Sequence, residues 1–269
     1  MKKVLLAGDL VGYEKIAISA MIPILSNMGC NVNTLLTSVV SNTFDYGKAE
    51  VVDLTDFMRG SLKIWKDLGF KFDMIFTGYL TSMDQVKIIK DLIEYSHNPI
   101  VVTDPIMGDD GVLYTGVDNR VKDYTKEMVD HSDIIVPNLT EARILLEEDQ
   151  DTPYDESIIR SYLDRLSQGK KSVIITSVKL DSETYVYCKN YYDGEGEVFR
   201  VPYKLIPYKF AGTGDIFSAM IIGSLAQDKS LKGAISYACK KISSILEKEI
   251  SLGQSKVNSV HIENHLKEI

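Results

Sequence analysis

Cysteine is scarce in this chain. Its 269 residues include three, Cys30, Cys188 and Cys239, far apart and with no Cys-x-x-Cys pair. They cannot build a disulfide framework, so a reducing cytosol is the expected setting and each reads as a small buried hydrophobe. No apolar run approaches the ~20 residues that a membrane helix needs. The opening run from Val4 stops at Asp9, too short for the apolar segment of a secretory leader, so none is expected. Basic clusters are missing too. Thirty Lys and Arg stand against 38 Asp and Glu, a net charge of -8. An acidic chain with no basic block does not read as a nucleic-acid binder, and the scattered lysines read as solvated helix faces. The Gly-x-x-x-x-Gly-Lys-Ser/Thr phosphate loop is absent. Phe217 stands where a Gly-x-Gly-x-x-Gly fingerprint starting at Gly212 needs its last glycine. The histidines, His97, His131, His261 and His265, show no metal or triad spacing, and the last two read as a surface helix.

What is present is an ordinary globular composition, 45% hydrophobic and 25% charged. One domain over 1–269 is the simplest organisation, with no linker, repeat or low-complexity tract. Short apolar runs at 4–7, 32–40, 74–77, 100–103, 134–136 and 173–176 read as strands. Between them, helical spacing predicts helices over 16–28, 54–68, 85–95 and 121–129, a short one opening at Thr140, and another over 160–166. This alternation predicts an α/β fold, a mostly parallel sheet with helices on both faces. Runs at 184–188 and 198–201, joined through Asp193-Gly194-Glu195-Gly196, predict an antiparallel edge hairpin. Two long helices over 213–226 and 231–249 follow. Such sheets bind ligands beyond the carboxyl ends of their strands. Gly8-Asp9, Gly78-Tyr79, Asp104, Asn138 and Thr176-Ser177 all fall there.

The stretch Gly212-Thr213-Gly214-Asp215 opens the first of those long helices. Glycine lets backbone approach a ligand closely, and a helix N-terminus offers N–H groups with partial positive charge. Together they suit a transferring phosphoryl group. Asp215, in the first turn, is expected to keep a low pKa and to take a proton from an alcohol beside that phosphate. Each residue also has a plain structural reading. Asp215 could be a first-turn acid, Asp104-Pro105 a turn, and Asn138 with Glu141 a capping pair. Thr176-Ser177 could be a mere strand end.

Gly212-Thr213-Gly214-Asp215-Ile216-Phe217-Ser218-Ala219 resembles the C-terminal signature of the ribokinase superfamily, most closely its pyridoxal/pyridoxamine kinase branch. Further resemblances run in order along most of the chain: Ser41-Asn42 with Tyr46-Gly47, the acidic loop at 102–111, Pro137-Asn138-Leu139-Thr140-Glu141-Ala142, and Ile174-Ile175-Thr176-Ser177. The resemblance implies a ribokinase-like ATP-dependent kinase acting on the hydroxymethyl group of a B6 vitamer. In it, Asp215 would be the general base and Gly212, Thr213 and Gly214 the anion hole. Asp104, Asn138, Glu141, Thr176 and Ser177 would line the ATP site. Asp104, Asp109 and Glu141 would serve magnesium, a hard cation suited to carboxylate oxygens. Tyr79 would stack on a flat ring. The family commonly adds a monovalent cation such as potassium and often forms homodimers.

The substrate side departs from that branch. Asp9 stands where a serine is usual, Phe44 where a threonine is usual, and Glu14-Lys15-Ile16-Ala17 replaces a glycine-rich stretch. An ionised Asp9 would accept hydrogen bonds and favour an amine, and Phe44 would give an apolar wall to an aromatic alcohol. The same chemistry on hydroxymethylpyrimidine or a sugar-like alcohol, and a non-catalytic ligand-binding relative, are the alternatives. Related hydroxymethylpyrimidine kinases often carry cysteine at the base position, which Asp215 is not.

Overall fold

A computed structural model describes residues 1–115, 117, 120–252 and 259–269, with position 45 described by its backbone only. In chain order the elements are β1 (Lys3–Tyr13), α1 (Ile18–Asn27), β2 (Asn31–Asn42), β3 (Val51–Asp53), α2 (Thr55–Leu68), β4 (Met74–Thr77), α3 (Met83–Ser96) and β5 (Ile100–Thr103). There follow β6 (Gly108–Asp109), β7 (Val112–Leu113), α4 (Val121–Asp130), β8 (Ile134–Ile135), α5 (Leu139–Leu146) and α6 (Glu156–Ser167). The last are β9 (Ser172–Leu180), β10 (Glu183–Asn190), β11 (Glu197–Tyr203), α7 (Thr213–Ala226) and α8 (Leu231–Ser251).

Nine strands form one sheet in the order β11-β10-β9-β8-β5-β4-β1-β2-β3. From β9 to β2 all neighbours run parallel, and β10 and β11 add the expected antiparallel hairpin at one edge. The opposite edge carries a second antiparallel strand, β3, which the sequence does not announce. Its three residues are all exposed, so burial imposes no apolar pattern on them.

The continuous apolar strands follow from burial on both faces. Val4, Leu6, Phe76, Val102, Ile134 and Ile174 face one layer, built with α1, α7 and α8. Leu5, Ala7, Ile75, Val101, Ile135 and Val173 face the other, built with α2 to α6. Helix α7 lies inside the first layer, and every residue from Ile216 to Leu225 is buried. A helix apolar all round belongs in a core, where each fully buried Ile or Leu contributes about 1.5–3 kcal/mol. That packing fixes the axis of α7 and therefore where its first turn points. Among the described residues, no helix is long and apolar enough to cross a membrane. All three cysteines are buried and free, as expected.

Two expectations are corrected. Thr176-Ser177 is not a strand end: β9 continues to Leu180, and Ser177 takes a positive φ of 62° beside a register shift against β10. His261 and His265 do not lie on a surface helix. They belong to short turns after α8, where both hold the buried Glu249, at 3.1 Å from His261 Nδ1 and 2.6 Å from His265 Nε2. A buried carboxylate needs such partners, and spacing alone does not reveal them.

Candidate active site

Four acids from separate elements converge at the carboxyl edge of the sheet: Asp9 in β1, Asp104 after β5, Glu141 in α5 and Asp215 in α7. Gly212 immediately precedes helix α7, and its φ of 82° is the left-handed conformation that glycine takes without strain. No side chain caps this end, and Thr213 and Gly214 are at least partly exposed. Its first amides are therefore not taken up by a side-chain cap, as an anion site requires.

Asp215 is largely buried at the carboxyl edge of the sheet, and its Oδ2 accepts the Ala17 N–H at 2.7 Å. The expected low pKa does not hold. The surrounding protein displaces water from the carboxyl group and raises its pKa to about 6, while the Ala17 N–H pulls it down. At pH 7 the group is still mostly ionised. If Asp215 is the base, it must be deprotonated to act, so activity is lost as pH falls through about 6. Below that point kcat/KM, which reports the free enzyme, should drop about tenfold per pH unit. A flat profile from pH 5 to 7 would contradict the assignment.

Asp9 and Asp104 are buried, and both pKa values rise to about 7, first through burial and then through the charge of Asp215. Against the expectation of an ionised Asp9, burial and the charge of Asp215 disfavour its ionised form near neutrality. Ser218 Oγ donates to Asp104 Oδ2 at 2.9 Å, joining β5 to α7. Glu141 is pushed above its ordinary pKa by burial and then by Asp104.

Asn138 and Glu141 form a reciprocal cap on α5. Asn138 Oδ1 accepts the Glu141 N–H at 2.9 Å, and Glu141 Oε2 accepts the Asn138 N–H at 2.9 Å. Both also reach the β6–β7 hairpin: Asn138 Nδ2 donates to Gly108 O at 2.8 Å, and the Met107 N–H donates to Glu141 Oε1 at 3.1 Å. The capping reading is therefore present, and it locks the acidic loop against α5. Asp109, on the hairpin, accepts the Asp110 N–H at 2.9 Å and lies 3.4 Å from Lys209 Nζ.

Phe44 and Tyr79 meet edge to face, ring centroids 6.4 Å apart, and Thr37 Oγ1 fixes Tyr79 by donating to its carbonyl at 2.8 Å. Further along the sheet edge, Asn138 bridges Thr176, and burial pushes the Tyr203 phenol upward while Ser177 pulls it down. Tyr203 lines two adjoining cavities, of about 320 and 510 Å³. The smaller also takes in Ser236, Cys239, Lys240 and Ser243 of α8.

Two residues of the site are not found by sequence reasoning. Burial and the carboxylates of Glu141, Asp109, Asp104 and Asp215 push the Tyr114 phenol upward, which sets it in the field of the acidic cluster. Lys209 pairs with Asp110 at 2.9 Å and stands three residues before Gly212. That position, next to the glycine loop, was the available signal.

Among the described residues, no group of three or more His, Cys, Asp or Glu side chains is arranged as a metal site. The donor set still fits a magnesium ion. Asp104 and Glu141 are buried oxygen acids whose ionised forms are disfavoured, and a cation would relieve that. Magnesium is typically held by one or two carboxylates with waters and phosphates, rather than by a closed protein cage.

The sequence profile of the phosphomethylpyrimidine kinases matches residues 18–261. The chain belongs to that family. Its fold is closely similar to that of a Bacteroides thetaiotaomicron protein described as a phosphomethylpyrimidine kinase. Identity is 34%, the TM-score is 0.92, and the match covers 99% of this chain and 93% of the other. A second crystal form of that protein, with a TM-score of 0.90, holds pyridoxal. Pyridoxal kinase from Lactobacillus plantarum has 26% identity and a TM-score of 0.89, with 100% and 96% of the two chains covered. Pyridoxal kinase from Dictyostelium discoideum is 27% identical over 242 residues, 82% of this chain and 76% of its own. The chain spans about half the length of two other curated relatives, 49% of one from Schizosaccharomyces pombe and 52% of one from Caenorhabditis elegans. The ribokinase-like fold and the pyridoxal kinase branch, expected from the motifs, agree with these kinases.

Proposed function

We propose that this protein phosphorylates the hydroxymethyl group of a B6 vitamer with ATP, using Asp215 as general base. The observation that carries this reading is the position of Asp215: its carboxylate, ionised at neutral pH, sits in the first turn of a helix whose N-terminus no side chain caps. The likeness to a kinase whose structure holds pyridoxal supports the choice of substrate.

In the reaction, Asp215 accepts the proton of the substrate hydroxyl as its oxygen bonds to the γ-phosphorus. The bond from that phosphorus to the ADP oxygen breaks, and ADP leaves. The amides of Gly212, Thr213 and Gly214 stabilise charge on the transferring group. Asp104, Glu141 and, across the hairpin, Asp109 would hold magnesium, which supplies charge neutralisation to the phosphates. A monovalent cation such as potassium belongs to the same reading. Thr176 and Ser177 take the nucleotide. Phe44 and Tyr79 bracket the vitamer ring, with Asp9 at its polar edge. A cytosolic homodimer completes the proposal, and the exposed cross-strand pair Val39 and Val52 at the β3 edge offers it apolar surface. The family's name favours a pyrimidine over a sugar as the second candidate substrate class, with hydroxymethylpyrimidine the member that offers a free hydroxymethyl acceptor.

Asp9 decides between vitamers. A bound ammonium group would draw Asp9 into its ionised form, because opposite charges attract strongly in a partly desolvated pocket. Pyridoxamine should be at least competitive with pyridoxal. Asp9→Ser should lower the pyridoxamine-to-pyridoxal ratio of kcat/KM on the order of tenfold, the effect of one charge-assisted hydrogen bond. Equal changes for both would remove Asp9 from substrate recognition.

Glu141→Gln tests the metal assignment. The amide would set its NH2 group against a backbone donor, at a cost of about 1–3 kcal/mol in urea unfolding. If Glu141 also serves the cation, the magnesium concentration for half-maximal activity rises several-fold. Lost stability with unchanged magnesium dependence would leave Glu141 as a cap alone. The substrate proposal itself is tested by ADP release with pyridoxal, pyridoxamine, pyridoxine, hydroxymethylpyrimidine, ribose and fructose. Turnover on the sugars alone would refute it.

A further inference from the structure

The turn between β1 and α1 is strained. Glu14 has a φ of 75°, and Ala17 has φ 51° and ψ -142°, conformations that residues with a Cβ rarely adopt. Such a conformation costs on the order of 1–3 kcal/mol per residue and persists only where the surroundings hold it. This turn does two things at the site. Its Ala17 N–H is the hydrogen bond on Asp215. Its Lys15 carbonyl and Ile16 side chain lie where a Cβ on Gly212 would stand, at 3.1 and 3.0 Å.

What holds the turn comes from the far end of the chain. The Ser259 N–H and Oγ both donate to Glu14 Oε2, at 2.9 and 2.6 Å. The same Oγ accepts the Lys15 N–H at 2.8 Å. Ser259 is buried and bridges Ala211, the residue before Gly212. Outside this clasp, Lys15 Nζ reaches Glu263 at 2.8 Å, an exposed pair of little weight.

We propose that Glu14 and Ser259 are positioning residues for Asp215: they clasp the strained turn at residues 14–17 and so hold the Ala17 N–H against the carboxylate. The role of that carboxylate as base rests on the function proposed above, while the clasp itself is a statement about structure. The Glu14 side chain thereby offsets the strain of its own backbone. Through the clasp, the C-terminal segment becomes a working part of the phosphoryl-transfer end of the cleft.

Two readouts test this. The first is independent of activity: hydrogen–deuterium exchange of the Ala17 amide. Ser259→Ala and Glu14→Gln should each speed it at least tenfold with little change in α7. Unchanged protection in both overturns the clasp. The second is turnover with magnesium-ATP and pyridoxal. Ser259→Ala should lower kcat about 5–30-fold and leave the KM for ATP within about twofold. Adding Ala17→Gly should restore most of that loss, since glycine adopts the turn without strain. A kcat that stays near wild type, or a loss that Ala17→Gly does not restore, contradicts the positioning role. Asp215→Asn, run alongside, separates the two claims: if it keeps its turnover, the base assignment fails, and the exchange result still judges the clasp.

Discussion

Asp215→Asn should lower turnover by roughly 10²–10⁴-fold and leave ATP binding intact, the range expected for loss of a general base. The substitution is conservative in shape. Asparagine keeps an oxygen that can accept the Ala17 N–H, which Asp215 accepts at 2.7 Å. What it loses is the site for the proton. Unfolding cannot account for the loss. The folded pKa of Asp215 is raised to about 6, so the native acid contributes stability below its ordinary pKa of 3.8 and loses it as pH rises through 6. A neutral amide escapes that penalty and should be at least as stable at pH 7. Rates by coupled ADP release and nucleotide affinity by calorimetry, on one preparation, check both halves. Near-normal turnover would remove Asp215 from the chemistry.

Gly212→Ala should damage both stability and rate. The φ of 82° at this position strains any residue with a Cβ. The added carbon would stand 3.1 Å from the Lys15 carbonyl oxygen and 3.0 Å from Ile16 Cγ2. The first of these is backbone within a turn already strained at Glu14 and Ala17, so it has little room to yield. We expect a loss of about 1–3 kcal/mol in urea unfolding, the sum of a conformational and a steric cost. Turnover should fall about 10–10³-fold, because a shift on the order of 1 Å between anion site and base can cost ~10²-fold. An alanine variant with native stability and native kcat would show that the helix start tolerates movement and is not an anion hole.

The parts of this molecule legible in its sequence are those fixed by local pattern. Two-sided burial made the strands at 74–77 and 100–103 readable to the residue. The glycine pair around Thr213 marked the start of α7, and the Asn138–Glu141 spacing marked a cap that the structure contains. The parts not legible arise from contacts between distant segments. Strand β3 is exposed, so no apolar period betrays it. Glu249 gains its histidine partners only when the chain after α8 folds back, which spacing on a helix cannot convey. Ser259 and Glu14 lie 245 positions apart. The upward pKa values of Asp9 and Asp215 have the same origin. A first-turn carboxylate is favoured by the helix end, but the desolvation that outweighs it comes from the surrounding elements, which only the fold assembles.

The most direct test of the account is phosphorus NMR of the product formed from pyridoxal and from pyridoxamine with magnesium-ATP, for the native protein and for Asp215→Asn. The account predicts a phosphate monoester on the hydroxymethyl oxygen of the vitamer, formed in step with ADP and nearly absent with the variant. Release of inorganic phosphate alone, or a phosphorylated sugar with no vitamer product, would contradict it.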